Sequence, residues 1–327
     1  MLKFMIPLAA AISLACTVSA QSQSNTAGFP KAGKPIQLIV PNSAGGGTDI
    51  AARLLAEGLE TKLGTTVVVQ NISGAGGIEG ANRLIRSEPD GHTIALVPLP
   101  QVNMYYLDPE RGGKFTAADI VPIAMHDYGP LALAVSAKSS YQTLGDIVQA
   151  AKKSPGTLTS ASSAVLATGH LSLLRLNKVA DISLNWTAME KQGTAMSSLL
   201  GGHLDLITDT LSELYPSKKN GDTRILAVFA EERQPGYPEI PTAREQGFDV
   251  VVTTSRLVIA PKGTPAEAVK VVQDAVQALI SDPAYKEKAA QRQVQLRFLD
   301  AQQAAATWKQ IDQNFGPIVA EFRGKKS

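Results

Sequence analysis

At 327 residues, with 44% apolar and only 5% aromatic residues, the chain is long enough for two domains with ample core. The 31 Lys and Arg against 29 Asp and Glu leave a net charge of +2, which gives no electrostatic case for a nucleic-acid partner. A single cysteine, Cys16, excludes a disulfide framework.

Residues 1–20 have the form of a secretory signal. Lys3 supplies the charged start, residues 4–16 an apolar run, and Val18-Ser19-Ala20 the small residues of a cleavage site. The run is too short for a good membrane span, and no later segment reaches that length. The expectation is export and cleavage after Ala20, which removes Cys16. Ser13-Leu14-Ala15-Cys16 faintly resembles a lipoprotein signal, in which Cys16 would be lipidated. Residues 21–34 read as a disordered lead-in.

From residue 35, strand and helix patterns alternate, as in α/β layers with a largely parallel sheet. A strand at 36–40 is followed by Pro41-Asn42-Ser43-Ala44-Gly45-Gly46-Gly47-Thr48-Asp49. The next helix carries Ile50, Leu54, Leu55, Leu59 and Leu63 at helical spacing, with Thr48 or Asp49 as N-cap and Gly64 as its close. A strand at 66–70 then leads to a second loop, Ser73-Gly74-Ala75-Gly76-Gly77, and another helical stretch. Strands follow at 93–98, 121–125 and 131–136, then a helix at 143–153, a strand at 157–160, a helix at 168–178 and a strand at 182–186. A short helix at 196–200 breaks at Gly201-Gly202, ahead of strands at 204–208, 224–230, 250–253 and 257–260. Pro261-Lys262-Gly263-Thr264-Pro265 opens a long helix, and a last helix spans 300–322.

Segments 127–130 and 253–256 read as crossings between domains. One domain would comprise 35–127 with 255–327, and the other, 128–254, would be inserted into it. Two hinge strands and a cleft between lobes suit closure around a ligand.

Each glycine loop joins a strand to a helix N-terminus, so it offers unpaired backbone N–H groups and the positive end of a helix dipole. That combination attracts a carboxylate or a phosphate. No Lys-Ser/Thr pair follows the glycines, which excludes a P-loop, and Ile50 occupies the third glycine position of a dinucleotide fingerprint. The candidate ligand-binding residues are Asn42, Ser43, Ala44, Gly45, Gly46, Thr48 and Asp49 in the first loop, and Ser73, Gly74, Ala75, Gly76 and Gly77 in the second. Asp49 reads as a helix cap or as a ligand contact.

Several blocks, in order, extend the pattern over nearly the whole chain after residue 34. They include Pro89-Asp90-Gly91-His92-Thr93, Leu199-Leu200-Gly201-Gly202-His203-Leu204-Asp205-Leu206, Pro241-Thr242-Ala243-Arg244-Glu245-Gln246-Gly247 and Ala260-Pro261-Lys262-Gly263-Thr264-Pro265. With the two glycine loops, this set resembles the tripartite tricarboxylate transporter receptors, or Bug proteins. The resemblance implies an α/β, two-lobed periplasmic binding protein of type II-like design, with two hinge crossings and an interdomain cleft. It implies a carboxylate held by the loop backbones, often through water, and delivered to one large and one small integral membrane subunit. A periplasmic, monomeric, non-enzymatic protein of a Gram-negative bacterium, with no cofactor or metal, completes that expectation.

Three stretches depart from the family pattern. In Ser160-Ala161-Ser162-Ser163-Ala164-Val165-Leu166-Ala167-Thr168-Gly169-His170, the usual glycines and serine are replaced, while the histidine is kept as His170. Ser162, Ser163 and Thr168 are either hydroxyl donors to a carboxylate or caps of the helix at 168. Val165 and Leu166 would make that cleft wall apolar. Trp186 and Met189 stand where a Pro-Tyr-Lys-Gly pattern is usual, and Arg256 stands at a hinge strand where an aromatic residue and glycine are usual. Arg256 is either a bidentate partner for a second carboxylate or a solvated hinge arginine. Asp209, ahead of Thr210 at a strand end, reads as a hydrogen-bonding residue across the closed lobes or to a ligand hydroxyl, or as a helix cap. Together, Val165, Leu166 and Arg256 favour an aromatic or apolar dicarboxylate such as terephthalate or phthalate. Citrate, malate or an amino-acid-like ligand, or a signalling receptor, is the alternative. A secreted hydrolase is disfavoured, because no Gly-x-Ser-x-Gly occurs and the four histidines form no metal-spaced pair.

Overall fold

The computed structural model describes residues 28–162, 164–189 and 194–324; the expected signal segment lies outside them. In chain order the elements are β1 (Ile36–Val40), α1 (Gly47–Leu63), β2 (Val67–Asn71), a 3₁₀ turn (Gly74–Gly77), α2 (Ile78–Ile85), β3 (Thr93–Leu99) and α3 (Gln101–Leu107). Next come β4 (Ile120–Ser136), α4 (Leu144–Lys153), β5 (Thr159–Ser162), α5 (Thr168–Ala180), β6 (Asn185–Ala188), α6 (Thr194–Leu200), β7 (Leu206–Thr210), α7 (Leu211–Lys219) and β8 (Thr223–Val228). The chain ends with β9 (Thr253–Pro261), α8 (Ala266–Ser281), α9 (Pro283–Gln291), β10 (Leu296–Leu299) and α10 (Ala301–Gly324).

The strands follow the order β2-β1-β3-β9-β4-β7-β5-β6, with β10 and β8 also paired to β4. The outer blocks β2-β1-β3 and β7-β5-β6 are parallel, as strand–helix alternation predicts. The centre is antiparallel, because β9 pairs antiparallel with both β3 and β4, and β4 with β7 and β8. The stretches expected as separate strands at 121–125 and 131–136 are one strand, β4. Gly129-Pro130 suggests a break, yet Gly129 and Pro130 keep their register with Thr254 and Thr253 of β9. Segments 127–130 and 253–256, expected as crossings between domains, are thus paired to each other as strands.

Apolar side chains fill both faces of each lobe. On one face of the first lobe, Ile36, Leu38, Leu54, Leu55 and Leu59 bury against Val272, Val276 and Leu279 of α8. On the other, Val97, Leu99, Tyr105 and Leu257 bury against Ala304 and Trp308 of α10. The second lobe closes around Leu133, Ile147, Leu171, Leu206 and Phe229 on one face and Leu199, Ile207 and Leu214 on the other. Helix α10 begins on the first lobe and ends on the second, where Phe315, Ile318 and Val319 join that core. Helix α4 starts at a capping box, Thr143 with Asp146.

Residues 28–34, read from the sequence as part of a disordered lead-in, are instead tied down. The Lys31 N–H donates to His92 Nε2 at 3.1 Å, Phe29 packs edge-on to the same ring, and Lys34 Nζ reaches Asp90 at 2.6 Å. Among the described residues, no helix is long and apolar enough to cross a membrane.

Candidate functional site

The first glycine loop leaves the carboxyl end of β1 and enters α1 with Gly46 as N-cap, in extended conformation and without a side-chain cap. Thr48 and Asp49, expected as caps, lie inside the first turn instead. Asp49 is 3% exposed and its carboxylate is fully engaged. Its Oδ2 accepts the Gly45 N–H at 2.8 Å and Arg53 Nε at 3.0 Å, while Oδ1 accepts Asn71 Nδ2 at 3.0 Å. Burial works against the charged form, but Arg53, Gly45 and Asn71 outweigh it and hold the carboxyl below its ordinary range. Asp49 is thus a brace that folds the loop and ties it to the end of β2. The Gly45 N–H is consumed in that brace. Ser43, Ala44 and Gly46 are exposed, and the N–H groups of the first turn at Gly47 and Thr48 have no intrahelical acceptor.

The second loop follows Ser73 and turns left-handed through Ala75, Gly76 and Gly77, at φ 51°, 67° and 104°. A side chain at Gly77 would overlap the Tyr105 hydroxyl and the Pro41 carbonyl, so only glycine fits there. The Tyr105 hydroxyl donates to the Gly76 carbonyl at 2.9 Å, and Gln101 Nε2 donates to it at 3.4 Å. Gln101 Oε1 in turn accepts from Asn42 Nδ2 at 3.4 Å. Gln101 therefore bridges the two glycine loops. No motif marked it, because α3 follows a proline at the end of β3 without a cap or a clear apolar period. The carboxylate of Glu79 lies against Gly74 and adds negative charge beside this loop.

Arg256, on the hinge strand β9, reaches the same place from behind. Its Nε donates to Thr48 Oγ1 at 3.3 Å and its Nη1 donates to Asp127, its cross-strand partner on β4. Nη2 lies 2.8 Å from where a Gly47 Cβ would sit, so the guanidinium rests on the backbone of the first turn of α1. Burial opposes the charge on Asp127, but Arg256 and His126 outweigh it and hold that carboxyl below its ordinary range. His126 and Tyr285 continue this buried line, and neither was singled out in the sequence.

In the second lobe the stretch at 162–170 is arranged differently from its expected role. Ser162 is buried and its Oγ accepts from Trp186 Nε1 at 2.9 Å. Trp186 stacks on His170 with ring centroids 3.7 Å apart, and His170 Nδ1 accepts the Leu166 N–H at 3.0 Å. Leu166 is 1% exposed with its side chain in the core, so it is not a cleft wall. Its left-handed backbone (φ 55°) turns it inward. Val165 packs partly against the same core, and its carbonyl accepts from Arg111 Nη2 at 3.2 Å. Thr168 is the half-buried first residue of α5, whose N-cap Ala167 has no side-chain bond, so neither Ser162 nor Thr168 caps this helix. Ser163 lies outside the described residues.

Asp209, near the end of β7, is accessible to solvent, and its Oδ1 accepts the Thr210 N–H at 2.8 Å. Protein around it removes enough water to raise its carboxyl pKa, and the neighbouring Glu213 raises it further. The end of β7 abuts the hinge, since a Cβ on Gly129 would lie 3.1 Å from Thr254 Cγ2 and 3.8 Å from Thr210 Cγ2. Thr210, next to Asp209, thus lies beside the paired Gly129 and Thr254 of β4 and β9. Among the described residues, no group of His, Cys, Asp and Glu could hold a metal ion.

Comparison with known proteins identifies the family of the chain. The sequence profile described as "Tripartite tricarboxylate transporter family receptor" matches residues 51–323. The "UPF0065 protein in gbd 5'region" of Cupriavidus necator is 32% identical over 301 residues, covering 90% of this chain and 88% of that one. A TctC solute-binding protein from Polaromonas, solved without ligand, superposes with a TM-score of 0.81 at 27% identity, covering 90% of this chain and all of that one. The periplasmic binding protein BugD gives 0.65 at 27% identity, covering 89% and 97%. These neighbours are solute-binding receptors rather than enzymes. The chain belongs to the tripartite tricarboxylate transporter receptor family of two-lobed periplasmic solute-binding proteins.

Proposed function

We propose that the protein captures a small carboxylate at the two glycine loops, closes its lobes over it, and delivers it as a monomer to a membrane transporter of one large and one small integral subunit. The supporting observation is the convergence at Gly47. There the Arg256 guanidinium lies against the open N–H groups of the first turn of α1, and the Gly76 loop is tied to the start of the same loop through Gln101 and Asn42. A desolvated carboxylate needs paired donors on both oxygens, and this is the place that supplies them. An N-terminal signal over residues 1–20, removed on export, would put the protein in the periplasm of a Gram-negative bacterium.

The case for an aromatic dicarboxylate rested on Val165, Leu166 and Arg256. Leu166 faces the core and Arg256 already carries Asp127 as counter-ion, which weakens that preference. The preference therefore passes to the alternative, an aliphatic di- or tricarboxylate such as citrate or malate, or an amino-acid-like acid. Thermal shift against citrate, malate, adipate, an amino-acid set, phthalate and terephthalate tests this, because a specific ligand stabilises by mass action. Stabilisation by terephthalate alone would restore the aromatic reading. Equal response to the uncharged amides of the same acids would remove the carboxylate from the proposal.

A further inference from the structure

Behind Arg256 a line of polar side chains runs through an otherwise apolar layer. Strand β4 shifts register between Met125 and Asp127, within a run buried from Ile123 to Asp127 that includes His126 and Asp127. Asp127 Oδ1 accepts from Arg256 Nη1, and Asp127 Oδ2 lies 2.8 Å from His126 Nδ1. His126 Nε2 lies 2.7 Å from the hydroxyl of Tyr285 on α9. Asp127 can only accept, so His126 Nδ1 donates to it, and the Tyr285 hydroxyl ends the line at Nε2. The surrounding residues include Ile123, Ala124, Val258, Leu279 and Val294, all apolar and buried. Folding alone does not require such a line there, because well-packed apolar residues commonly replace a buried ion pair without loss of stability.

What the line does is fix one guanidinium. Arg256 is held at Nη1 by Asp127 and at Nε by Thr48, two points that set the plane of the group. Its Nη2 lies over the first turn of α1, at the positive end of the helix dipole. Asp127 balances that charge from the Nη1 side and leaves Nη2 turned toward the helix N-terminus.

We propose that Tyr285, His126 and Asp127 form a positioning chain that locks the Arg256 guanidinium in the orientation that receives the ligand carboxylate. It rests on the carboxylate reading above. Tyr285 sits on a different helix from the site and acts through two intermediaries, as the outer partners of metal ligands do. Its ring also packs on Gly58 of α1, so Tyr285→Phe removes the hydroxyl while keeping that contact.

Two measurements on the full protein test the chain. The first needs no ligand: the Arg256 side-chain Nε–H signal, identified by its loss in Arg256→Lys, is followed by proton-exchange NMR. Exchange in Tyr285→Phe is expected to be about tenfold faster than in wild type, with a similar rise in Asp127→Asn. Unchanged exchange in both variants, even with a lower Tm, would make the line a structural buttress and overturn the proposal. The second uses acetate as probe, read at the Gly47 and Thr48 amide signals. Its half-saturation concentration is expected to rise about tenfold in Tyr285→Phe. Faster exchange with unchanged acetate binding would also overturn the positioning role. If acetate moves those amides in neither protein, the carboxylate reading fails, while the exchange result still decides whether the chain holds Arg256.

Discussion

The carboxylate of Asp49 accepts the backbone N–H of Gly45 at 2.8 Å, so the first glycine loop is closed by an acid of its own helix. One donor is removed from the anion cradle in return for a fixed loop shape. Asp49→Asn keeps the size but loses the charge that binds Gly45, Arg53 and Asn71. We expect a loss of about 1–3 kcal/mol in chemical denaturation, the usual cost of weakening a buried charged hydrogen-bond set. Because the folded-state pKa of Asp49 is depressed, its contribution is complete above the ordinary carboxylate range and is lost as pH falls through the lowered value. The difference between wild type and Asp49→Asn should therefore shrink on acidification. A difference constant down to strongly acidic pH would remove Asp49 from that role.

Gly76 and Gly77 make a controlled pair. Both have positive φ, but a Cβ on Gly76 meets open space, while one on Gly77 meets Tyr105 and Pro41. Gly76→Ala should cost about 1–2 kcal/mol, the backbone strain alone. Gly77→Ala should cost more than about 3 kcal/mol, because the strand end or α3 must also shift. Equal costs in denaturant titration would show that the loop yields at both positions.

Much of this lobe was legible in the sequence, since the glycine loops, their strands and the helix with Leu54, Leu55 and Leu59 follow local rules of periodicity and capping. The second half of the site was not. Leu166 reads as a cleft residue because it stands where the family pattern has a glycine- and serine-rich loop, yet it has a left-handed backbone and its side chain lies in the core. Gln101, His126 and Asp127 acquire their roles only from pairings across strands and helices, which no local pattern encodes. The long strand β4 likewise hid behind Gly129-Pro130, whose local preference for a break is overridden by pairing to β9.

Trp186 stacks on His170 and donates to Ser162, beside the second-lobe loop, whereas Trp308 is buried against Tyr106. Only Trp186 should report events in the cleft. Any ligand-induced change in intrinsic fluorescence is expected to vanish in Trp186→Phe and persist in Trp308→Phe, with ligand affinity retained in both by calorimetry. Persistence in Trp186→Phe would place closure elsewhere.

Asp209 contributes to stability with the opposite sign from Asp49. Its folded-state carboxyl pKa is raised, by loss of water and then by Glu213, so the folded form holds its proton more tightly than the unfolded chain. Stability therefore falls as pH rises from the ordinary carboxylate value through the raised one. Asp209→Asn should match wild type in acid and exceed its Tm at neutral pH. A lower Tm at neutral pH would mean that the ionised carboxylate makes a favourable contact.

Asp108 and Arg323 join the end of α3 to the end of α10 across the two lobes. Asp108 is 1% exposed and takes Arg323 in a bidentate pair, Nε to Oδ1 at 2.9 Å and Nη2 to Oδ2 at 2.7 Å. Arg111 lies 3.5 Å from the same carboxylate and also donates to the Val165 carbonyl of the second lobe. Removing Arg323 leaves a buried carboxylate with only the Glu110 N–H and the longer Arg111 contact, so Arg323→Ala should cost about 3–5 kcal/mol. Removing the charge as well should restore part of that loss, because the penalty lies in the uncompensated acid. A double-mutant cycle with Asp108→Asn is thus expected to give a coupling of about 1–3 kcal/mol. Additive losses would show that Arg323 acts through packing of its stem. Because the pair ties the last turn of α10 to the first lobe while Phe315 and Ile318 stay in the second core, its loss should also loosen one lobe against the other. Small-angle scattering of ligand-free Arg323→Ala is expected to give a larger radius of gyration than wild type, and an unchanged radius would confine the pair to local stability.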